Sequence, residues 1–359
     1  MEAKRVLSAV IIEGTVRSDR QTKRLLRSVA AGDIALLQHA DLDEQAAVGL
    51  VAAGVKAVVN AAPTMTGSFP HEGPLELLRN GIPIFEIAAA EFDRVGDGRR
   101  VRIAEGMLVC EGRHIRCSAF GYDSWLAARR TAERSYRQTV LDFTDNTLRY
   151  AKEELDTLLT PLRMPPLDRP LAGEHALIVS RGRGHREDLS ALREYIAAMQ
   201  PALIGVDGGA DALAAQGYLP DLIVGDMDSI SDEALRCGAQ LFVHAYADGH
   251  APGMERIRAL GLRATTVTAP GTSEDVALRI AYEGDAARLV VVGSHCGPVD
   301  FLQKGRKGMA STLLVRMLVG HKLVDARGAG LWMQPGYSPL ARLQSLTEGG
   351  ADEWTHQYR

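Results

Sequence analysis

Aromatic residues make up only 5% of the 359-residue chain, and its four cysteines include no CxxC pair. Cys110, Cys117, Cys237 and Cys296 lie far apart, and no histidine cluster stands at zinc-ligand spacing. That pattern excludes a disulfide scaffold, gives no support to a structural zinc and suits a reducing interior. Neither sign of charge dominates, since 41 Lys and Arg stand against 45 Asp and Glu for a formal net charge of -4. The basic field that non-specific nucleic-acid binding needs is missing. No run is long and apolar enough to span a bilayer, and charge interrupts the short apolar stretch near the start, so neither signal peptide nor membrane span is expected. These absences predict a cytoplasmic globular protein without nucleic-acid partners. What remains, 46% hydrophobic and 24% charged residues, can fill sizeable cores. A chain of this length predicts two compact units with a connector.

Residues 1–122 alternate short apolar runs with glycine turns, in RVLSAVIIEG, GDIALLQH, VKAVVNAAP, GIPIFEI, RRVRIAEG and MLVCEG, which read as strands. DLDEQAAVGLVAAG and PLELLRNG between them have helical spacing and end in glycine, so a small α/β domain is expected. Residues 123–160 contain neither glycine nor proline, and Trp125, Ala132, Tyr136, Val140, Phe143, Leu148, Ala151, Leu155 and Leu158 recur at roughly helical intervals. This predicts one long amphipathic helix, on the order of 50 Å at about 1.5 Å per residue. Part of its stripe would meet another domain or a second chain, so a homodimer through it is expected. Residues 161–173, PLRMPPLDRPLAG, form a proline-rich linker. From 174 to 337 the pattern becomes strand, glycine turn, helix, repeated, which predicts a doubly wound parallel sheet, and residues 338–359 read as a polar tail.

In such a sheet, ligands sit beyond the carboxyl ends of the strands. Asp207 follows ALIGV and precedes Gly208 and Gly209, where backbone can approach a ligand closely. Asp226 and Asp228 follow LIVG, and Ser229 closes that run. Two residues apart in an extended segment, the two carboxylates would point to one side and could share magnesium, which accepts one or two carboxylates together with phosphate and water oxygens. One strand-end Asp is more simply read as a helix cap, but three at successive strand ends point to a site. Gly182, Arg183 and Gly184 in SRGRGHRED, with Arg181 and Arg186 beside them, could meet phosphate, as could Asp300, Lys304, Arg306 and Lys307 in HCGPVDFLQKGRKGMAST. Each basic residue alone reads equally well as a solvated turn. His39, His71, His295 and Cys296 have no partner at a defensible spacing. NAAPTMTGSFPHEGP is a loop suited to binding, and Arg17, Asp19, Arg20, Thr22 and Lys23 form a second polar cluster.

The succession DGGADAL, PDLIVGDMDS, GTSEDVAL and CGPVDF resembles the thiamine pyrophosphokinase core over about residues 175–325. The resemblance implies that Asp207, Asp226 and Asp228 gather magnesium and ATP for pyrophosphoryl transfer, with Asp275 at the acidic position of the second motif. Pro270 and Ser273 stand where that family has aspartates, and Pro298 and Phe301 replace an Arg and a His, while Asp300 is kept. Over nearly the whole chain, QTK at 21–23, AGDIALLQHADLD, VKAVVNAAPTMTGSFPHEGP, ADGHAPGMERIRALGL, PGTSEDVAL and FLQKGRKGMAST are similar to the SteA family of bacterial cytokinetic-ring proteins. That resemblance implies a role in cell division and daughter-cell separation, recruitment to the division site by a membrane partner protein, and a core that binds a nucleotide or diphosphate ligand. The N-terminal domain also resembles the swivelling phosphohistidine-type domain in its strand and glycine pattern. Two other readings stay open: a working pyrophosphokinase that transfers diphosphate from ATP to an alcohol, and a core that only presents surfaces to partners.

Overall fold

The structure is a computed structural model, and it describes residues 11–162, 164, 166–246 and 248–332, without the side chain of Leu158. The 338–359 tail and the first residues of RVLSAVIIEG fall outside that range. Contacts divide the chain into a first unit, residues 1–146 with 297–308, and a second, residues 147–296 with 309–359. The boundary lies inside the long helix, between Asn146 and Thr147, and the first unit takes in a segment from far downstream.

The first unit is an eight-stranded sheet. Its parallel centre is β1 (Ile12–Ser18), β2 (Ile34–Leu37), β3 (Ala57–Asn60) and β4 (Ile84–Glu86), each beside the next. Helices α1 (Thr22–Ser28), α2 (Glu44–Ala52) and α3 (Gly73–Arg79) make the crossovers. On one side β5 (Arg100–Ala104) pairs antiparallel with β1 and continues into β6 (Met107–Cys110) and β7 (Arg113–Arg116). On the other, β8 (Ser118–Phe120) pairs antiparallel with β4. Alternation sorts the strands: Ile34 and Leu36 enter one core with Phe92, Val101 and Ile103, while Ala35 and Leu37 enter a second with Leu50, Leu77 and Trp125. Each such large apolar side chain contributes about 1.5–3 kcal/mol when fully buried. Helix α4 (Tyr122–Leu159) is continuous over 38 residues, or about 57 Å at 1.5 Å per residue. Trp125 joins a core of the first unit and Ala151 a core of the second, while Leu148 and Leu155 are exposed.

The second unit is a seven-stranded, wholly parallel sheet. Its strands are β9 (His175–Val179), β10 (Ala202–Val206), β11 (Leu222–Gly225), β12 (Gln240–Ala245), β13 (Thr265–Thr268), β14 (Arg288–Val292) and β15 (Leu323–Asp325). Their order is β13-β12-β11-β10-β9-β14-β15, so the winding reverses between β9 and β14. That reversal opens a crevice at the carboxyl ends. Helices α5 (His185–Ala191), α6 (Gly209–Ala215), α7 (Gly253–Ala259), α8 (Ser273–Glu283) and α9 (Ala310–Val319) lie among the connections. Both faces are covered, as the near-continuous apolar strands require: Ala176 and Ile178 of β9 pack with Val276, Ile280 and Val315, and Leu177 and Val179 with Leu189 and Leu213. The architecture is therefore α/β throughout, with a long helix and a C-terminal doubly wound parallel sheet. No described helix is long and apolar enough to cross a membrane.

Candidate functional site

Because every strand of the second unit runs the same way, the loops after β9, β10, β11 and β14 leave from one edge of the sheet. Asp207, the first residue after β10, has φ 48, a left-handed backbone that few side chains tolerate but Asp accepts more readily than most. This turn lays its carboxylate over Gly225, where any Cβ would stand 2.0 Å from Asp207 Oδ1. The same Oδ1 accepts the Asp226 backbone N–H at 3.0 Å. Asp207 thus ties the loops after β10 and β11 together.

Residues 226–229 form a turn rather than extended chain. Met227 is fully buried with φ 64, and Asp226 Oδ1 accepts the Asp228 N–H at 2.9 Å. The alternation expected to aim Asp226 and Asp228 to one side therefore does not operate; a side-chain-to-backbone turn takes its place. Arg256 of α7 holds this turn, donating to the carbonyls of Met227 and Ile230, the latter at 2.7 Å, and pairing with Asp232. Gly253 lets α7 approach, since a Cβ there would lie 2.3 Å from the Asp226 carbonyl oxygen. Arg256 went unnoticed in the sequence because nothing in its spacing links it to a loop about 26 residues earlier.

Arg181, after β9, donates to the Ser229 carbonyl at 3.1 Å, and its guanidinium crosses Gly208, where a Cβ would meet Nε at 2.0 Å. Gly209 leaves no room either, its Cβ falling 1.8 Å from the Val179 carbonyl oxygen. Gly182 lies against Gly293 across the β9–β14 reversal, with 2.3 Å from a built Cβ to the Gly293 oxygen. Gly208, Gly209 and Gly182 are thus needed for close backbone approach. Gly184 is left-handed with φ 72, and Arg183 is exposed beside it. Hydrogen bonds thus tie Asp207 to Asp226, Asp226 to Asp228 and Arg181 to Ser229 along one edge of the sheet. No group of three or more His, Cys, Asp or Glu among the described residues forms a ready metal site. Magnesium would need ligand oxygens and water to complete its shell.

Asp275 lies at the start of the helix that follows β13. It is almost wholly buried and is the third residue of α8, where its Oδ2 accepts Thr272 N–H at 2.8 Å, Thr272 Oγ1 at 2.9 Å and Thr312 Oγ1 at 2.8 Å. These bonds make a capping box, with Thr272 Oγ1 accepting Asp275 N–H in return. Its neighbour Glu274 was not singled out in the sequence. Its carboxyl reaches into the reversal, bonded to Ser294 Oγ, to the His295 N–H at 3.1 Å, to Ser180 Oγ at 3.3 Å and to Arg316 at 3.3 Å. Burial raises its pKa, and the Ser294, His295 and Arg316 contacts pull the other way. Asp300, Lys304, Arg306 and Lys307 belong to the first unit.

Residues 194–247 match the family described as thiamin pyrophosphokinase, catalytic domain. The matched stretch holds β10, α6, β11 and β12, and so Asp207, Asp226 and Asp228. The second unit thus has a pyrophosphokinase-like fold. No curated protein matches significantly. Among solved structures, the chain is similar to 3-isopropylmalate dehydratase (leuD) from Methanocaldococcus jannaschii, with 16% identity over 35% of this chain and 99% of that one, at a TM-score of 0.22. A putative D-3-phosphoglycerate dehydrogenase from Ralstonia solanacearum gives 11% identity over 89% of each chain and a TM-score of 0.15. Scores this low leave both without bearing on the fold.

Proposed function

We propose that the second unit binds a magnesium–nucleotide or diphosphate ligand at Asp207, Asp226 and Asp228, within a SteA-like factor of bacterial cell division and cell separation. One observation supports the ligand reading above the others: two left-handed non-glycine residues, Asp207 and Met227, sit in adjacent strand-end loops that Arg181 and Arg256 hold in place. Strain of this kind costs of order 1–3 kcal/mol per residue and collects at ligand sites. In this reading Asp226 and Asp228 hold the cation, while Gly182, Arg183, Gly184, Gly208, Gly209 and Ser229 face phosphate. The division role rests on the resemblance along the chain, and with it recruitment by a membrane partner. A homodimer through α4 is part of the same proposal, supported by the exposure of Leu148 and Leu155.

Calorimetry with ATP, ADP, GTP and thiamine, with and without magnesium, tests the ligand. Magnesium-dependent nucleotide binding is expected, and Asp226→Ala should abolish it; equal binding by both proteins would sink the assignment. A monomer at all concentrations in sedimentation would remove the dimer. The second reading, an active pyrophosphokinase, is favoured by the family match across all three aspartates. It requires release of AMP when ATP and an alcohol acceptor such as thiamine are supplied.

A further inference from the structure

At the carboxyl edge of the second unit's sheet, the loop after β12 carries an aromatic side chain in the open. Strand β12 lies beside β11, with Val243 opposite Gly225. Beyond that pair the β11 chain turns through Asp226, Met227 and Asp228, while β12 runs on to Ala245 and leaves Tyr246 at its end. Tyr246 is three residues past Val243, about 10 Å of strand at roughly 3.3 Å per residue. On the other side, His244 Nε2 lies 2.9 Å from the Ala269 carbonyl oxygen and secures the end of β12 against β13. Helix α7 then brings the chain back to the aspartate turn. A Cβ on Gly253, its first residue, would stand 2.3 Å from the Asp226 carbonyl oxygen and 3.2 Å from Val243 Cγ1, and Arg256 donates to the carbonyls of Met227 and Ile230. The loop from Tyr246 to Pro252 is thus pinned at both ends beside Asp226 and Asp228.

The loop also closes on itself. The Tyr246 N–H donates to the His250 carbonyl at 2.9 Å, the Gly249 N–H to the Tyr246 carbonyl at 2.8 Å, and the His250 N–H to Asp248 Oδ1 at 2.9 Å. Gly249, with φ 84, supplies the left-handed bend that lets the chain return. Held this way, the Tyr246 and His250 rings stack with centroids 6.1 Å apart and planes 23° from parallel. His250 therefore backs one face of the Tyr246 ring, yet the tyrosine stays 65% exposed. An exposed tyrosine by itself is ordinary. This one has a fixed place: among the described residues, no other strand of the sheet is followed directly by an exposed Tyr, Phe or Trp.

We propose that Tyr246, backed by His250, is the stacking face for the base of a nucleotide whose phosphates and magnesium are held at Asp226 and Asp228. This rests on the ligand reading of those aspartates and narrows it, from a nucleotide or diphosphate to a nucleoside phosphate. Every base has a π face, so an open aromatic ring attracts it without hydrogen bonds to the base edge. Tyrosine presents that ring at low entropic cost, having only two side-chain torsions. The spatial order suits one extended molecule: carboxylates at the turn after β11, and a ring one strand over and about 10 Å further along. The loop's one carboxylate, Asp248, is turned onto the His250 N–H and lies at the end where the ligand is uncharged.

The test compares ATP with inorganic tripolyphosphate, the same phosphate chain without a nucleoside, by calorimetric titration of the full chain in magnesium. Wild type should bind ATP more tightly than tripolyphosphate. Tyr246→Ala should weaken ATP about tenfold, the loss of one base–aromatic stack, and leave tripolyphosphate unchanged. Tyr246→Phe keeps the ring and should retain ATP binding. Circular dichroism should show both variants folded, since the side chain is exposed. Asp226→Ala should weaken both ligands. An ATP affinity unchanged in Tyr246→Ala, a loss shared equally by tripolyphosphate, loss of ATP binding in Tyr246→Phe, or equal wild-type affinities for the two ligands would each overturn the stacking face and leave the aspartate site standing. Absence of magnesium-dependent binding of both ligands would remove the two together.

Discussion

Asp207 performs two tasks that one substitution can separate. It adopts a left-handed backbone and accepts the Asp226 N–H, and it brings a negative charge to the strand-end loops. Asn tolerates the same backbone and keeps the accepting oxygen. Asp207→Asn should therefore change stability by less than about 1 kcal/mol in urea unfolding while magnesium-dependent nucleotide binding falls. Loss of the fold would show that the charge itself holds the loops. His71 gives a second prediction. It is buried, its Nε2 lies 3.9 Å from Asp41 Oδ1, and burial lowers its pKa below the ordinary 6.5. The unfolded chain binds a proton there as pH falls through 6.5, ahead of the folded one, so stability is full above that value and declines below it. Urea midpoints measured on both sides should show the decline, and His71→Gln should flatten it. At this scale the sequence revealed strand-end aspartates by type and position. It did not reveal the bend at Met227, because left-handed backbone at a non-glycine residue leaves no compositional trace.

The segment Thr272 to Asp275 carries two signals at once. As part of an acidic motif, Asp275 suggests chemistry; as Thr-x-x-Asp before an apolar run, it is a helix start. The structure places it as the helix start, with three bonds to Asp275 Oδ2 at the head of α8. Thr272→Ala should cost about 1–2 kcal/mol, the usual effect of losing a cap, measured as a lower urea midpoint with unchanged slope. A change within error would mean that Thr312 and the Thr272 N–H suffice. Helix α4 was legible from its lack of glycine and proline, and β2, β3, β5 and β6 from apolar runs bounded by turns. Strands β7 and β8 were missed because RHIR and SAF are short and carry little apolar pattern. Helix α1 was missed for a similar reason, with only two of its seven residues buried.

Whole-molecule organisation was the least legible level. Strand and helix patterns are local, whereas the assignment of Gly297–Gly308 to the first unit depends on contacts with residues hundreds of positions earlier. Phe301 and Leu302 in that segment are buried, so the first unit without it would expose apolar surface. A fragment of residues 1–146 should bind a hydrophobic dye more strongly and melt at a lower temperature than the first unit does in the full chain. Equal melting would show that the segment adds nothing to stability.

Synthesis gives that arrangement a further meaning. A ribosome adds residues from the amino end, and domains ordinarily close as soon as their last residue emerges. Here the strands of the first unit emerge early, but Phe301 and Lys304 arrive only after β9 to β14 have been made. The amino-terminal unit is therefore complete only when the chain is most of the way through translation, shortly before the second unit receives α9 and β15, its own last helix and strand.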